Sequence, residues 1–326
     1  FPHAGTFTKM IGIKYPIVQA VMGGFGVPAM ASAVCEGGGL GGVGLSWADE
    51  QQARDSVRQV RAATKNPFAI GYALWFPPQT LTAVLEEGAP IIQFSWGTPT
   101  KEVQSLVKSF GAKLGMQVSN LDGTRQALDA GSEYIILQGQ EAGGHVQAMS
   151  NWRDYLPKVL ELAGTTPVLV AGGLGDGHAL REVLNAGASG GAFGTRFVAT
   201  KENRWSPSYK ERIVQSKASD TILTVCFDGG WPNALHRVLK NKTTNMWEAA
   251  GSGQVGFRPG EGDVVASFGD MEFLRYGVWP PAEGMAPESS DHMALYCGTS
   301  VDAIRDIPSA KDLVKRLWDE CLSSGK

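Results

Sequence analysis

Short apolar runs of five to nine residues recur along the first two hundred positions, and each is followed by a segment with helical periodicity. The runs are 16–20, 40–46, 68–74, 91–97, 113–119, 134–139, 167–171 and 190–198. Between them, Ala53, Val57 and Val60 share one helical face. So do Leu81, Val84 and Leu85, then Val103, Leu106, Val107 and Phe110, and later Leu180, Val183 and Leu184. Several of these segments stop at glycine: Gly88, Gly111, Gly131, Gly164 and Gly187. Glycine accepts the left-handed backbone that ends a helix. Strand–helix alternation demands a parallel sheet with helical crossovers. The apolar runs do not alternate strictly, as expected of strands buried on both faces. Eight evenly spaced units predict a closed (β/α)₈ TIM barrel rather than an open sheet.

The pattern changes after about residue 200. Residues 220–300 are rich in Gly, Trp and Pro and show few regular periods, which predicts irregular cover over the barrel mouth. Ala310, Leu313, Val314, Leu317 and Trp318 then mark one last amphipathic helix. The expected division is a barrel core at 1–200 and C-terminal loops and helices at 201–326, packed as one continuous domain. At 326 residues the chain fits a single barrel. Its hydrophobic fraction of 43% supports a large core.

With 29 basic and 32 acidic residues and no basic stripe, nucleic acid is not an expected partner. No apolar run is long enough to span a bilayer, and no secretory signal is seen, so an intracellular, cytoplasmic location is expected, with no organelle excluded. The four cysteines, Cys35, Cys226, Cys297 and Cys321, are far apart, match no metal spacing and read as free thiols. No metal site is expected.

Function in such a barrel sits just after the strands. Gly37, Gly39 and Gly42 spell a dinucleotide fingerprint, but they follow a helix and open a strand, so they read as a helix stop and close packing instead. The run Gln19-Ala20-Val21-Met22-Gly23-Gly24 leaves room for a flat ring against backbone, or forms a tight turn. Ala-Gly-Gly-Leu-Gly-Asp-Gly-His at 171–178 and Gly194-Thr195-Arg196-Phe197 follow the last two strands, where barrels recurrently hold phosphate. Gln138-Gly139-Gln140-Glu141-Ala142-Gly143-Gly144-His145 follows the sixth strand and is the sharpest motif. It places an imidazole at the mouth, exposed to a ligand, able to take a proton from carbon or steady an anion. There it should titrate in its ordinary range, roughly 6 to 7. His3, His178, His236 and His292 look less apt. Gln93 and Gln117 end strands and offer amides to an anionic ring. Glu141 reads as solvated. Tyr72, Trp75, Trp96 and Trp231 either wall a small pocket or pack in the core.

These motifs together resemble the nitronate monooxygenases, formerly called 2-nitropropane dioxygenases. The resemblance rests on residues 16–23, 138–145, 170–175 and 191–197, and residues 227–232 look like fungal-type relatives. It implies FMN without a metal and oxidation of alkyl nitronates, with nitroalkanes as an extension, by molecular oxygen to carbonyl compounds plus nitrite or nitrate. It carries the catalytic histidine onto His145. It carries flavin contacts onto Ala20, Met22, Gln117, Gly144, Gly172, Gly173, Gly194 and Thr195. Two alternatives stay open: an NAD(P)H-dependent reductase of quinones or enoyl thioesters on the same barrel, and a barrel that binds FMN or phosphate without turnover. The sequence leaves oligomeric state undefined.

Overall fold

The computed structural model describes residues 1–24 and 27–323. Eight parallel strands form the barrel: β1 (Ile17–Gln19), β2 (Gly41–Gly44), β3 (Phe68–Ala73), β4 (Ile91–Ser95), β5 (Lys113–Val118), β6 (Tyr134–Gln138), β7 (Val168–Ala171) and β8 (Gly190–Phe193). They pair in sequence order from β2 to β8, and β8 pairs with β1. Leu40 closes the ring. Its amide donates to the Ile17 carbonyl at 2.9 Å, and its own carbonyl accepts from Gln19 N at 2.9 Å. The (β/α)₈ expectation therefore holds.

Strand alternation divides two cores. Ile91, Tyr134, Ile136 and Leu169 point into the barrel, while Ile92, Phe94, Ile135, Leu137, Val168 and Val170 pack against the outer helices. Phe7 and Ile11, from an N-terminal helix Pro2–Ile11 that the sequence patterns did not signal, join the inner core. Tyr134 fills the space left by Gly115, where a Cβ would lie 2.1 Å from the ring. Its hydroxyl donates to Gln93 Oε1 at 3.1 Å. Gln93 is thus part of the barrel interior and is not a ring contact as expected. The glycine run at 37–44 does serve close packing: a Cβ on Gly41 would sit 2.0 Å from the Ala31 carbonyl oxygen of the helix Val27–Glu36.

Two boundaries differ from the sequence reading. The eighth strand ends at Phe193 and not at 198, because the chain turns at Gly194 into a short helix, Thr195–Val198. That turn buries Phe197 and Arg196, whose guanidinium pairs with Asp306 at 3.0 Å. The stretch 220–300 is also more regular than its composition suggested. It holds two antiparallel strands, Thr221–Thr224 and His236–Leu239, the second of which also pairs with the two-residue strand Gly144–His145 of the barrel mouth, a helix Lys242–Ala249, and a hairpin of Val264–Phe268 with Met271–Leu274. Four-residue strands made by distant pairing carry almost no periodic signal. The last helix, Ala310–Ser323, packs against helices Gly177–Asn185 and Val27–Glu36. Among the described residues no helix is long and apolar enough to cross a membrane.

Candidate active site

The C-terminal ends of the strands open into a cavity of about 230 Å³. Its floor is made of small residues: Ala20, Gly23, Gly44, Gly71 and Gly194. Buried Gln19 holds this floor in place: it donates to the Ala20 carbonyl, and its Oε1 accepts from Gly42 N at 2.9 Å. A Cβ on Gly194 would meet only Ala20 Cβ, at 4.0 Å, so the space above it is open.

His145 sits on the wall of this cavity, placed by two sets of bonds. Gln138, at the end of β6, donates from Nε2 to the His145 carbonyl at 3.1 Å, and its Oε1 accepts from Gln147 N at 2.7 Å. Gln117 Nε2, from β5, donates to Gln147 Oε1 at 3.1 Å. From the other side, strand Gly144–His145 pairs antiparallel with His236 and Arg237. Gly144 takes φ +74°, where its lack of a Cβ removes the strain. The ring of His145 stacks on Trp231, centroids 4.2 Å apart and planes at 21°. Tyr296 lies 5.4 Å away.

This packing changes the expected chemistry of the imidazole. Burial pushes its pKa down from the ordinary value to about 3, with the neighbouring His236 adding to the effect. The expectation of titration near 6 to 7 is therefore corrected: His145 is less exposed than a mouth position implied and is neutral at working pH. Its Nε2 is covered and has no hydrogen-bond partner in the protein. A buried ring nitrogen without a partner is costly, and a bound ligand is its natural complement. His236 contrasts with it. Nδ1 bonds the Ala234 carbonyl at 2.8 Å, and Nε2 accepts from Phe227 N at 3.1 Å, so one neutral tautomer is fixed. No local pattern in the chain signals that His236 faces His145.

Ala20, Met22, Gln117, Gly144, His145, Gly194 and Thr195 all line the cavity. Gly172 and Gly173 do not. Both have positive φ, and a Cβ on them would meet the Gly139–Ala142 loop and Thr299. Segment 297–299 laces over them. Gly298 N donates to Thr195 Oγ1 at 2.9 Å, and Thr299 N donates to the Glu141 carbonyl at 3.0 Å. Glu141 is largely buried and has its pKa raised by that burial, so the solvated reading is corrected.

Of the aromatics, Tyr72, Trp96 and Trp231 line the cavity, whereas Trp75 lies outside it and is exposed. Trp47, Trp205, Trp279 and Tyr296 also line it and were missed, because no local signal ties them to the strand ends. Trp96 has φ +57°, a left-handed conformation that costs a bulky residue about 1–3 kcal/mol. No Asp, Glu, Lys or Arg is found among the described residues that line the cavity. Among the described residues, no group of three or more His, Cys, Asp or Glu side chains could hold a metal. The four cysteines are free and buried.

The residues suit a flat ring: small floor, apolar wall, amides of Gln117 and Gln138, and one unpartnered nitrogen. A model of the nitronate monooxygenase family matches residues 5–78 and 76–320. A nitronate monooxygenase of Pseudomonas aeruginosa is 28% identical over 367 aligned residues, spanning 96% of this chain and 98% of that protein. A probable nitronate monooxygenase of Staphylococcus aureus is 28% identical over 267 residues, 68% of this chain and 75% of that one. Among solved structures, FabK from Thermotoga maritima superposes with a TM-score of 0.78 at 25% identity, covering 98% of this chain and 96% of that one. The nitroalkane oxidase of Streptomyces ansochromogenes gives a TM-score of 0.77 at 24% identity, covering 98% of each chain, a likeness of fold.

Proposed function

This chain belongs to the nitronate monooxygenase family of flavin-dependent oxidoreductases, and on that premise we propose that it oxidises alkyl nitronates, and nitroalkanes after proton removal, with FMN and molecular oxygen, releasing a carbonyl compound plus nitrite or nitrate. The observation that carries this reading is the neutral, half-buried imidazole of His145, whose covered Nε2 is left unpartnered beside a floor shaped for a flat ring. FMN, when bound, supplies the electron acceptor and passes electrons to oxygen.

The chain's own residues do the rest. Ala20, Met22, Gly194 and Thr195 would hold the ring and its tail, with the Gln117 amide facing the ring. Gly144 lets the loop approach closely. Gly172 and Gly173 would take the phosphate side, which requires segment 297–299 to yield. A neutral His145 can accept the proton of a neutral nitroalkane. A nitronate has already lost that proton and needs no base. A reductase reading finds less support, since no described lining residue carries a cation for the phosphates of a nicotinamide nucleotide or a thioester carrier.

Anaerobic mixing tests the proposal. Nitronate should bleach the bound flavin, and NADPH should not; the reverse result sinks it. His145→Asn should lower nitroalkane turnover by about 10–10²-fold, less than loss of a base titrating near neutrality, and spare preformed nitronates. Because burial holds the imidazole near 3, nitroalkane turnover should not fall between pH 8 and pH 5 through loss of this base.

A further inference from the structure

The cavity has a floor and a wall of different character, and beyond covering His145 the wall has no role in the chemistry above. Trp231 is its hub. It touches Trp96 at 4.8 Å, Phe76 at 5.2 Å and Trp47 at 5.8 Å, all edge-on, and stacks on His145 at 4.2 Å. Trp47 continues outward to Trp279 at 6.3 Å. The ladder runs from fully buried Trp231 to Trp47 and Trp279, which are 41% and 40% exposed at the rim. Two indoles in contact at a cavity rim make a contiguous exposed apolar patch, of the kind that marks a ligand groove.

The ladder is also held under strain. Trp96 keeps its left-handed backbone next to Gly97 at φ +149°, and its ring lies against Trp231 and within 6.4 Å of His145. Strained non-glycine residues persist where the surroundings force them, and they cluster at ligand sites. Charge completes the pattern. No described lining residue carries a charge: His145 is neutral, and burial raises the Tyr72 and Tyr296 hydroxyls so that they stay protonated. A substrate bearing a second, remote anion would leave that anion unpaired in an apolar wall.

We propose that the aromatic ladder from Trp231 to Trp279 is the substrate-selecting wall, and that it selects nitro compounds with a flat, uncharged, aromatic or bulky apolar tail against those with a carboxylate or phosphate tail. The inference rests on the oxidation reading for the identity of the nitro group. The wall's preference for an uncharged ring stands on the lining itself. The reacting carbon lies at His145, and the tail runs along Trp231 toward the rim, where edge-to-face contacts with indole favour a ring over an alkyl chain.

Two unreactive probes share the ring and nitro group and differ by a para carboxylate: nitrobenzene and 4-nitrobenzoate. Neither has a carbon-bound acidic proton beside the nitro group. Neutral 4-nitrobenzamide, of the benzoate's size, separates charge from bulk and should bind like nitrobenzene. Calorimetric titration of the purified holoenzyme should show nitrobenzene binding at least about tenfold more tightly than 4-nitrobenzoate, a difference of about 1.4 kcal/mol. Trp279→Ala, at the exposed rim, should weaken nitrobenzene and 4-nitrobenzoate alike, about threefold to tenfold, because they share the ring that meets the indole. Trp231→Leu should weaken nitrobenzene further, and Trp231→Phe should restore most of the loss. Equal or tighter binding of 4-nitrobenzoate overturns the proposal, as does nitrobenzene binding that neither tryptophan variant alters. If nitronates fail to reduce the flavin while the tenfold preference persists, the oxidation reading falls and the wall stands. If nitronates react but nitrobenzene and 4-nitrobenzoate bind equally, the wall falls and the oxidation reading stands.

Discussion

The barrel's strand ends and the segment 200–309 build the two sides of one cavity by opposite means. The strand ends work by subtraction. Gly23, Gly44, Gly71 and Gly194 remove side chains so that backbone lies open to a ligand. The later segment works by addition. It brings Trp231, Trp279 and Tyr296 over the mouth, and a half-buried ion pair braces the Trp231 turn: Arg258, 7% exposed, pairs with Asp228 and Glu261, both at 2.5 Å. The lesson is that the side which binds can be rigid and bare, while the side which selects needs bulk and its own anchors. A bare floor cannot discriminate between tails, and a bulky wall cannot admit a ring face to within contact of backbone.

The sharpest way to break this contrast is to fill the floor. Gly194 has φ −98°, which any residue adopts, and a Cβ there meets nothing closer than 4.0 Å. Gly194→Leu should therefore fold normally while its side chain occupies the ring's place. FMN affinity should fall more than about a hundredfold, roughly 2.7 kcal/mol. The unfolding temperature of the flavin-free protein should stay within a few degrees. Gly173 is a poorer site for this test, because φ +76° strains any replacement. Retained flavin in Gly194→Leu would mean that the ring does not lie over β8.

Removing an anchor tests the other side with a smaller effect. Arg258→Met leaves Asp228 half-buried and unpaired beside the Trp231 turn, where Trp231 N bonds the Asp228 carbonyl at 3.0 Å. Deleting one partner of this half-buried pair should cost about 1–2 kcal/mol. The exposed pair of Arg125 with Asp122 at 2.7 Å is the control, and its loss should cost under about 1 kcal/mol. Urea unfolding of both variants decides the matter. Equal costs would show that the segment needs no internal anchor.

These tests also mark what the sequence could carry. The eight strands were legible because parallel strands buried on both faces form continuous apolar runs. The small-residue floor was legible because it follows those runs directly, and so was His145, by its place after β6. The surroundings of His145 were not. They come from Trp231 and His236, about ninety residues later, through a two-residue strand pairing that leaves no periodic trace. For the same reason the motif places His145 at the cavity and misjudges its protonation. Gly172 and Gly173 were read from their loop alone, and segment 297–299, which covers them, has no local signature.

The smallest effect separates the two histidines of that strand pair by acid. Both are held neutral in the folded protein, His145 near 3 and His236 near 4, and burial is the leading cause for each. In the unfolded chain both titrate near 6.5. Their folded values are depressed, so the unfolded state binds more protons between about pH 3 and pH 6.5. Stability is therefore fully present above pH 6.5 and is lost as pH falls through that window. For one such histidine the loss between pH 7 and pH 5 is about 1–2 kcal/mol. His236 cannot evade it, because a proton on Nε2 would face the Phe227 amide that now donates there. His145 has no such partner, and His145→Gln removes its titration without removing a bond. Urea unfolding of the flavin-free protein at pH 7 and pH 5 should give the variant a shallower loss than the parent, by about one histidine's share. An identical loss in both would mean that His145 is solvated and already charged at pH 5. The wall would then be wet, and the cavity would have a cation to offer an anionic tail.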